Sequence, residues 1–199
     1  ITGHEAAAHG AEATSLILVP IIASKVKIPL IAAGGFYDGR GLAAALALGA
    51  DAISMGTRFM VTKESILSEH WKQLIIKASE QDTVYLDYGD PAANSRVMRT
   101  KKAETTRTKG GAPLMSGISG ALETKRMLKL SWWELIHAGF STSKDKEGMS
   151  MMQQLRYAAS SARSHKVILD GDVNAGLLPA GQCVGGIEDI PTCQELIER

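Results

Sequence analysis

Two short apolar runs, each closed by glycine, bracket one alanine-rich segment near the start of this chain. Pro29-Leu30-Ile31-Ala32-Ala33 ends at Gly34-Gly35, and Asp51-Ala52-Ile53-Ser54-Met55 ends at Gly56-Thr57. Residues 42–48 between them are helical in composition, with Gly49 where a C-terminal cap belongs. Apolar runs this short, stopped by glycine, suit strands buried on both faces. One helix joined to both by tight turns makes a βαβ unit, so the strands are parallel. Parallel sheets need helices on both faces and more strands than two. The pattern predicts that residues 1–60 are the last part of a larger α/β body.

The remainder reads differently. Residues 61–170 are expected to be mostly helical. Residues 65–79 carry Ile66, Leu67, Trp71, Leu74, Ile75 and Ala78 near helical spacing, and residues 122–137 and 149–162 are further helix candidates. Residues 85–94 form a turn-rich break with Gly89 and Pro91. Arg96, Arg99, Lys101, Lys102, Arg107 and Lys109 read as a solvated basic face. Gly110–Pro113, Ser116–Gly120 and Lys144–Glu147 read as loops, and Met149, Met151 and Met152 as helix core. Trp132-Trp133 is expected to give one core ring and one at the boundary. After a glycine-rich stretch at 171–186, residues 191–198 begin a helix.

Bulk properties exclude several classes. Among 199 residues the formal net charge is +1, which gives no electrostatic case for nucleic acid. The most apolar stretch, residues 16–31, is broken by Pro20, Lys25, Lys27 and Pro29, so no membrane span is expected. Cys183 and Cys193 cannot build a disulfide framework and are read as small apolar groups in a reduced, cytoplasmic protein. No histidine pair stands at metal-ligand spacing, so no metal is expected. The chain opens at Ile1 without a charged leader, which suggests processing or a segment of a longer chain.

The chemistry concentrates in the first 60 residues. Parallel strands place Gly34-Gly35 and Gly56-Thr57 on one sheet edge, at the strand C-termini where α/β folds hold ligands. Glycine lets backbone N–H groups approach a phosphate closely, so two adjacent turns make a phosphate cradle. His9 stands among small residues in Glu5-Ala6-Ala7-Ala8-His9-Gly10. Its imidazole titrates near neutrality and can move a proton, while its small neighbours leave room for a flat ligand.

These segments form an ordered series: Glu5-Ala6-Ala7-Ala8-His9-Gly10, Pro29–Phe36, Asp38-Gly39-Arg40-Gly41, Ala45–Asp51 and Met55-Gly56-Thr57-Arg58-Phe59. The series resembles the nitronate monooxygenase (2-nitropropane dioxygenase-like) family, and flavin-dependent enoyl-acyl-carrier-protein reductases of the same superfamily share most of it. Asn94-Ser95-Arg96-Val97 and the tail from Gly171 to Ile187 are similar to further family segments. The resemblance implies the C-terminal part of a (β/α)8 TIM barrel with an inserted helical domain. Residues 1–60 would be its last βα units, with strands six, seven and eight at Ile1–Gly3, Leu30–Ala33 and Ala52–Met55. Residues 61–170 would be the helical domain, and 171–199 the return segment packing on the barrel.

The same resemblance implies FMN as cofactor. Gly34, Gly35, Gly56 and Thr57 would donate N–H groups to its phosphate, with Ser54 and Met55 beside them. Ala7 and Ala8 would line the isoalloxazine, and His9 would be catalytic. Ala8 replaces a glycine usual in the family, and Thr2 stands where many members carry glutamine. The implied reaction is oxidation of alkyl nitronates with O₂. The alternatives are an enoyl-acyl-carrier-protein reductase or NAD(P)H-quinone reductase, with NAD(P)H as reductant, or a non-catalytic partial barrel. A closed barrel takes about 250 residues and eight strands. The missing strands are expected from the same longer protein or from another chain.

Overall fold

β1 (Ile31–Ala33) and β2 (Ala52–Ser54) pair in parallel, with Ala32 opposite Ile53 and Ala33 opposite Ser54. The computed structural model describes residues 1–7, 12–87, 94–108, 125–126, 131–134 and 166–199. On the free side of β1 the first residues add a third parallel segment. Thr2 bridges Ala33, Gly3 N–H donates to Ala33 O at 2.9 Å, and Ala33 N–H donates to Ile1 O at 2.8 Å. The strand order is therefore 1–3, β1, β2, the order that the family resemblance implies.

Helices α1 (Ser15–Ala23) and α2 (Gly39–Ala47) cover one face of this sheet. Val19, Leu30, Ala32, Ala45 and Ala50 form the core between them. α2 begins three residues before Leu42 because Asp38 caps it, its Oδ1 accepting the Gly41 N–H at 3.0 Å. Asp51 Oδ2 accepts the Leu30 N–H at 2.6 Å, which ties the second strand's entry to the first strand's base. Burial on both faces is not what the structure shows. Ala32 is 1% exposed but Ile31 is 53% exposed, and Ser54 is exposed. Side chains alternate along a strand, so the helices cover one set and leave the other open.

Beyond α3 (Thr57–Met60) and α4 (Glu69–Ile75), two strands that were not expected interrupt the segment read as mostly helical. β3 (Thr83–Leu86) and β4 (Ser95–Met98) form an antiparallel hairpin, pairing Tyr85 with Arg96 and Val84 with Val97. The expected turn-rich break thus starts inside a strand. Thr83-Val84-Tyr85-Leu86 is rich in β-branched and aromatic side chains, whose two-residue period a search for helical spacing misses. Val84, Leu86 and Val97 pack on Ala103 of α5 (Lys101–Thr108). The basic face is also corrected in one member: Arg96 points inward and is 6% exposed. Trp132 and Trp133 are 56% and 80% exposed, so neither is a core ring. The loops expected at 110–113, 116–120 and 144–147, the helix at 149–162, its methionines, Lys109 and most of 122–137 lie outside the described residues.

The largest core joins Val61, Leu67, Trp71, Ile75 and Met98 to Val167, Leu178, Val184 and Ile187 of the last segment. That segment runs beside β4, where Met98 N–H donates to Leu178 O at 2.9 Å and Ala180 N–H to Arg96 O at 3.2 Å. A 3-10 helix (Gln182–Gly186) and α6 (Cys193–Ile197) follow, the latter started by a capping box between Thr192 and Glu195. Cys183 is buried and Cys193 half-buried, both as free thiols. Among the described residues no helix is long and apolar enough to cross a membrane, and no cluster could hold a metal.

Arg58 of α3 is buried and reaches this segment, with Nη2 2.7 Å from Asp189 Oδ1 and Nη1 donating to Asp189 O at 3.1 Å. Asp189 Oδ2 also accepts from Arg199 at 2.6 Å. The bond from Arg199, with the charges of Arg58 and Arg199, holds the Asp189 carboxyl below the usual carboxylate range. Asp189→Ala leaves a buried guanidinium without its carboxylate and should cost about 2–3 kcal/mol by urea unfolding at pH 7. Because the folded-state pKa is depressed, this contribution is present above the ordinary value of about 3.9. It is lost as pH falls through the folded value. A variant as stable as wild type at pH 7 would remove the pair from the account.

Candidate functional site

The C-terminal ends of the three parallel segments bring the 4–7 loop, Gly34-Gly35 and Met55-Gly56-Thr57 to one edge. Gly34 and Gly35 have φ of +100° and +81°, a region that side chains disfavour. The three turn glycines are not equivalent. A Cβ on Gly34 would stand 3.1 Å from Gly3 N and 3.3 Å from the Ala6 Cβ, so Gly34 lets two backbones meet. A Cβ on Gly35 would touch only Glu5 side-chain carbons, the nearest at 3.6 Å, and one on Gly56 would meet nothing within 4 Å. Gly56 thus borders open space, while Gly35 faces the Glu5 side chain at ordinary contact distance. Their N–H groups have no acceptor among the described residues.

The expectation for Thr57 concerns its backbone N–H, and its side chain is engaged within the protein. Its hydroxyl accepts the Gly181 N–H at 3.0 Å in a buried contact. α3 has four residues, so what this edge offers is local N–H groups rather than a long helix dipole. Ser54 is exposed and Met55 half-buried at the same edge.

The 4–7 loop is fastened from three directions. Glu5 O accepts from Gln182 N–H at 2.9 Å, Ala7 O from Arg96 N–H at 2.8 Å, and His4 N–H donates to Ala13 O at 3.0 Å. The Glu5 carboxylate accepts the Ser15 N–H at 3.0 and 3.1 Å and so caps α1, where Thr14 provides no side-chain cap. That engagement keeps its charge directed at α1. Gly181 fits between the loop and the cradle, since a Cβ there would lie 2.8 Å from Glu5 O and 3.6 Å from Thr57 Oγ1.

The structure therefore gathers Ala7, Gly34, Gly35, Ser54, Met55, Gly56 and Thr57 at one edge. Ala8 and His9 lie outside the described residues. Sequence reasoning did not single out Glu5, Arg96 or Gly181 for this site. Gly181 had a visible signal, a glycine between buried Ala180 and the 3-10 helix. Arg96 was hidden in a run of surface cations.

A family model described as nitronate monooxygenase matches residues 1–199. A relative from Rhodococcus jostii (strain RHA1), a (3aS,4S,5R,7aS)-5-hydroxy-7a-methyl-1-oxo-octahydro-1H-indene-4-carboxyl-CoA dehydrogenase, is 35% identical over 200 residues, covering 100% of this chain and 56% of its own. A probable nitronate monooxygenase from Staphylococcus saprophyticus is 42% identical over 80 residues, covering 39% of this chain and 22% of its own. The structure of FabK from Thermotoga maritima superposes with a TM-score of 0.72 at 30% identity, over 99% of this chain and 50% of that one. The chain thus spans about half the length of the curated relative that it matches end to end.

The contrast between the glycines predicts two different costs. Gly34→Ala combines a positive φ with a contact against the Gly3 backbone and should lose about 1–3 kcal/mol in urea unfolding. Gly56→Ala should stay within about 0.5 kcal/mol of wild type. Equal costs at the two positions would contradict the packing described.

Proposed function

Because the chain belongs to the nitronate monooxygenase family, whose members are flavin-dependent oxidoreductases, we propose that it forms the phosphate-binding half of an FMN site. The observation that carries this reading is the pair of N–H groups at Gly35 and Gly56, in the turns after adjacent parallel strands, which have no acceptor among the described residues, with open space beside Gly56. The residues present fit a phosphate: the donors are unpaired, and the nearby Glu5 carboxylate is engaged by Ser15. Gly35, Gly56 and the main chain of Thr57 hold the phosphate, with Gly34 shaping the turn and Ser54 and Met55 beside it. By the family resemblance, Ala7 and Ala8 would line the ring. His9 accepts or returns the substrate proton near neutral pH. Bound FMN supplies the redox chemistry, taking electrons from substrate and passing them to an acceptor.

Oxidation of an alkyl nitronate with O₂ is the first reading of the substrate. A thioester substrate is the second, and one observation favours it. Relatives matched along the whole chain are named carboxyl-CoA dehydrogenases, whereas the probable nitronate monooxygenase described above matches 39% of the chain. The likeness to FabK supports the same alternative. The open face of β1, with Ile31 exposed, suits the packing of further strands from the same longer protein or another chain.

Gly56→Val tests the cradle without backbone strain, because this position has φ of −91° and no neighbour to displace. FMN affinity, followed by flavin fluorescence, should fall at least about tenfold through lost close approach. Riboflavin, which lacks the phosphate, should bind as before. Unchanged FMN affinity would sink the assignment. His9→Ala should lower kcat by about 10²-fold or more with FMN still bound. Anaerobic flavin reduction by nitronate, acyl-CoA thioester or NAD(P)H, compared by stopped flow, separates the substrate readings.

A further inference from the structure

The β3–β4 hairpin buries a cation that has no carboxylate partner. Arg96 is 6% exposed, and no acidic side chain lies within ion-pair distance of it among the described residues. Nη1 donates to Thr83 Oγ1 at 3.3 Å and Nη2 to His4 O at 3.4 Å. The third position of the fork, Nε, is buried and has no acceptor. The Tyr85 ring lies 5.7 Å from the guanidinium carbon, and the ring of His4, 4.7 Å from that of Tyr85, carries a second buried orphan at Nδ1. Arg96 lines a cavity of about 460 Å³ with Thr83, Tyr85, Asp87, Arg99 and Arg107. Arg99 is committed to Glu104, Gln81 O and Thr83 O, so it is not the free donor there.

Folding does not leave a buried, fork-shaped donor unpaired without cost. Desolvation pushes the Arg96 guanidinium below its ordinary range, only partly offset by the charge of Glu5. Two of its bonds fix the orientation of the plane, and its own N–H holds Ala7 O at 2.8 Å, beside the loop proposed to face the flavin. A guanidinium held this way matches a planar oxyanion, whose oxygens accept in its plane. We propose that Arg96 is an anion-binding residue of the substrate site, receiving the planar oxyanion of the reacting group, whether a nitronate or the enolate of a thioester. This deepens the functional reading above and rests on it for the identity of the substrate. The binding itself does not depend on flavin.

Formate is the probe, being the smallest planar carboxylate. Thermal unfolding of the flavin-free protein is followed in sodium formate and in sodium chloride at equal ionic strength. Formate at ten times its Kd should raise Tm by about 3–5 °C over chloride, since a ligand bound only by the folded state stabilises it. Arg96→Met should abolish that difference. Arg96→Lys keeps the charge but lacks the fork and should lose at least half of it. An equal rise in wild type and Arg96→Met, or a full rise in Arg96→Lys, overturns the proposal, as does no rise in wild type. A rise that disappears in FMN-saturated protein but persists with riboflavin also overturns it, because Arg96 would then serve the cofactor phosphate. Failure of Gly56→Val to weaken FMN, with the formate effect intact, would instead remove the flavin reading alone.

Discussion

Three hydrogen bonds from late parts of the chain hold the edge where the glycine turns meet. Gln182 N–H reaches Glu5 O, Arg96 N–H reaches Ala7 O, and Gly181 N–H reaches Thr57 Oγ1. Nearer in sequence, the same loop is held by the pairing of residues 1–3 with β1, by His4 N–H on Ala13 O and by the Glu5 carboxylate on Ser15. The β3–β4 hairpin and the last segment are joined to each other as well, through Met98, Leu178, Arg96 and Ala180. The parallel strands set the direction of the turns, and the later elements set their shape.

The two helices on the parallel sheet show the same division of labour. Apolar contact among Val19, Ala32 and Ala45 supplies burial without directional preference. Direction comes from charged and polar ends: Asp38 starts α2, Glu5 starts α1, and Asp51 fixes the entry to β2. Arg58 performs the corresponding task for the last segment through Asp189.

The parallel unit was legible because its signals are local. Apolar runs, glycine stops and the capping Asp38 all lie within a few residues of what they control. The order of residues 1–3, β1 and β2 followed from the family resemblance. What was not legible depends on distant partners. The tie between the Thr57 hydroxyl and the Gly181 N–H has no local signal, because the partners lie far apart in sequence. Arg96 reads as one more surface cation because its neighbours in sequence are charged, while its neighbours in space are Thr83, Tyr85 and the His4 carbonyl. The alternation in Thr83–Leu86 is four residues long, too short to outweigh the helical composition around it. Ile31 differs again: its apolar character suggests burial, but the elements described cover only the opposite side of β1.

The bond between Gly181 and Thr57 spans 124 positions of sequence, and this separation has a consequence for biosynthesis. Translation proceeds at about 5–20 residues per second, so Thr57 leaves the ribosome roughly 6–25 s before the residue that fixes its hydroxyl. During that interval the nascent chain already carries both glycine turns, but Thr57, Glu5 and Ala7 still lack the partners supplied by the last segment and the hairpin. The shape of this edge is thereby completed only when nearly all of these residues have been made, and a stalled or prematurely terminated product carries the turns without the bonds that hold their shape.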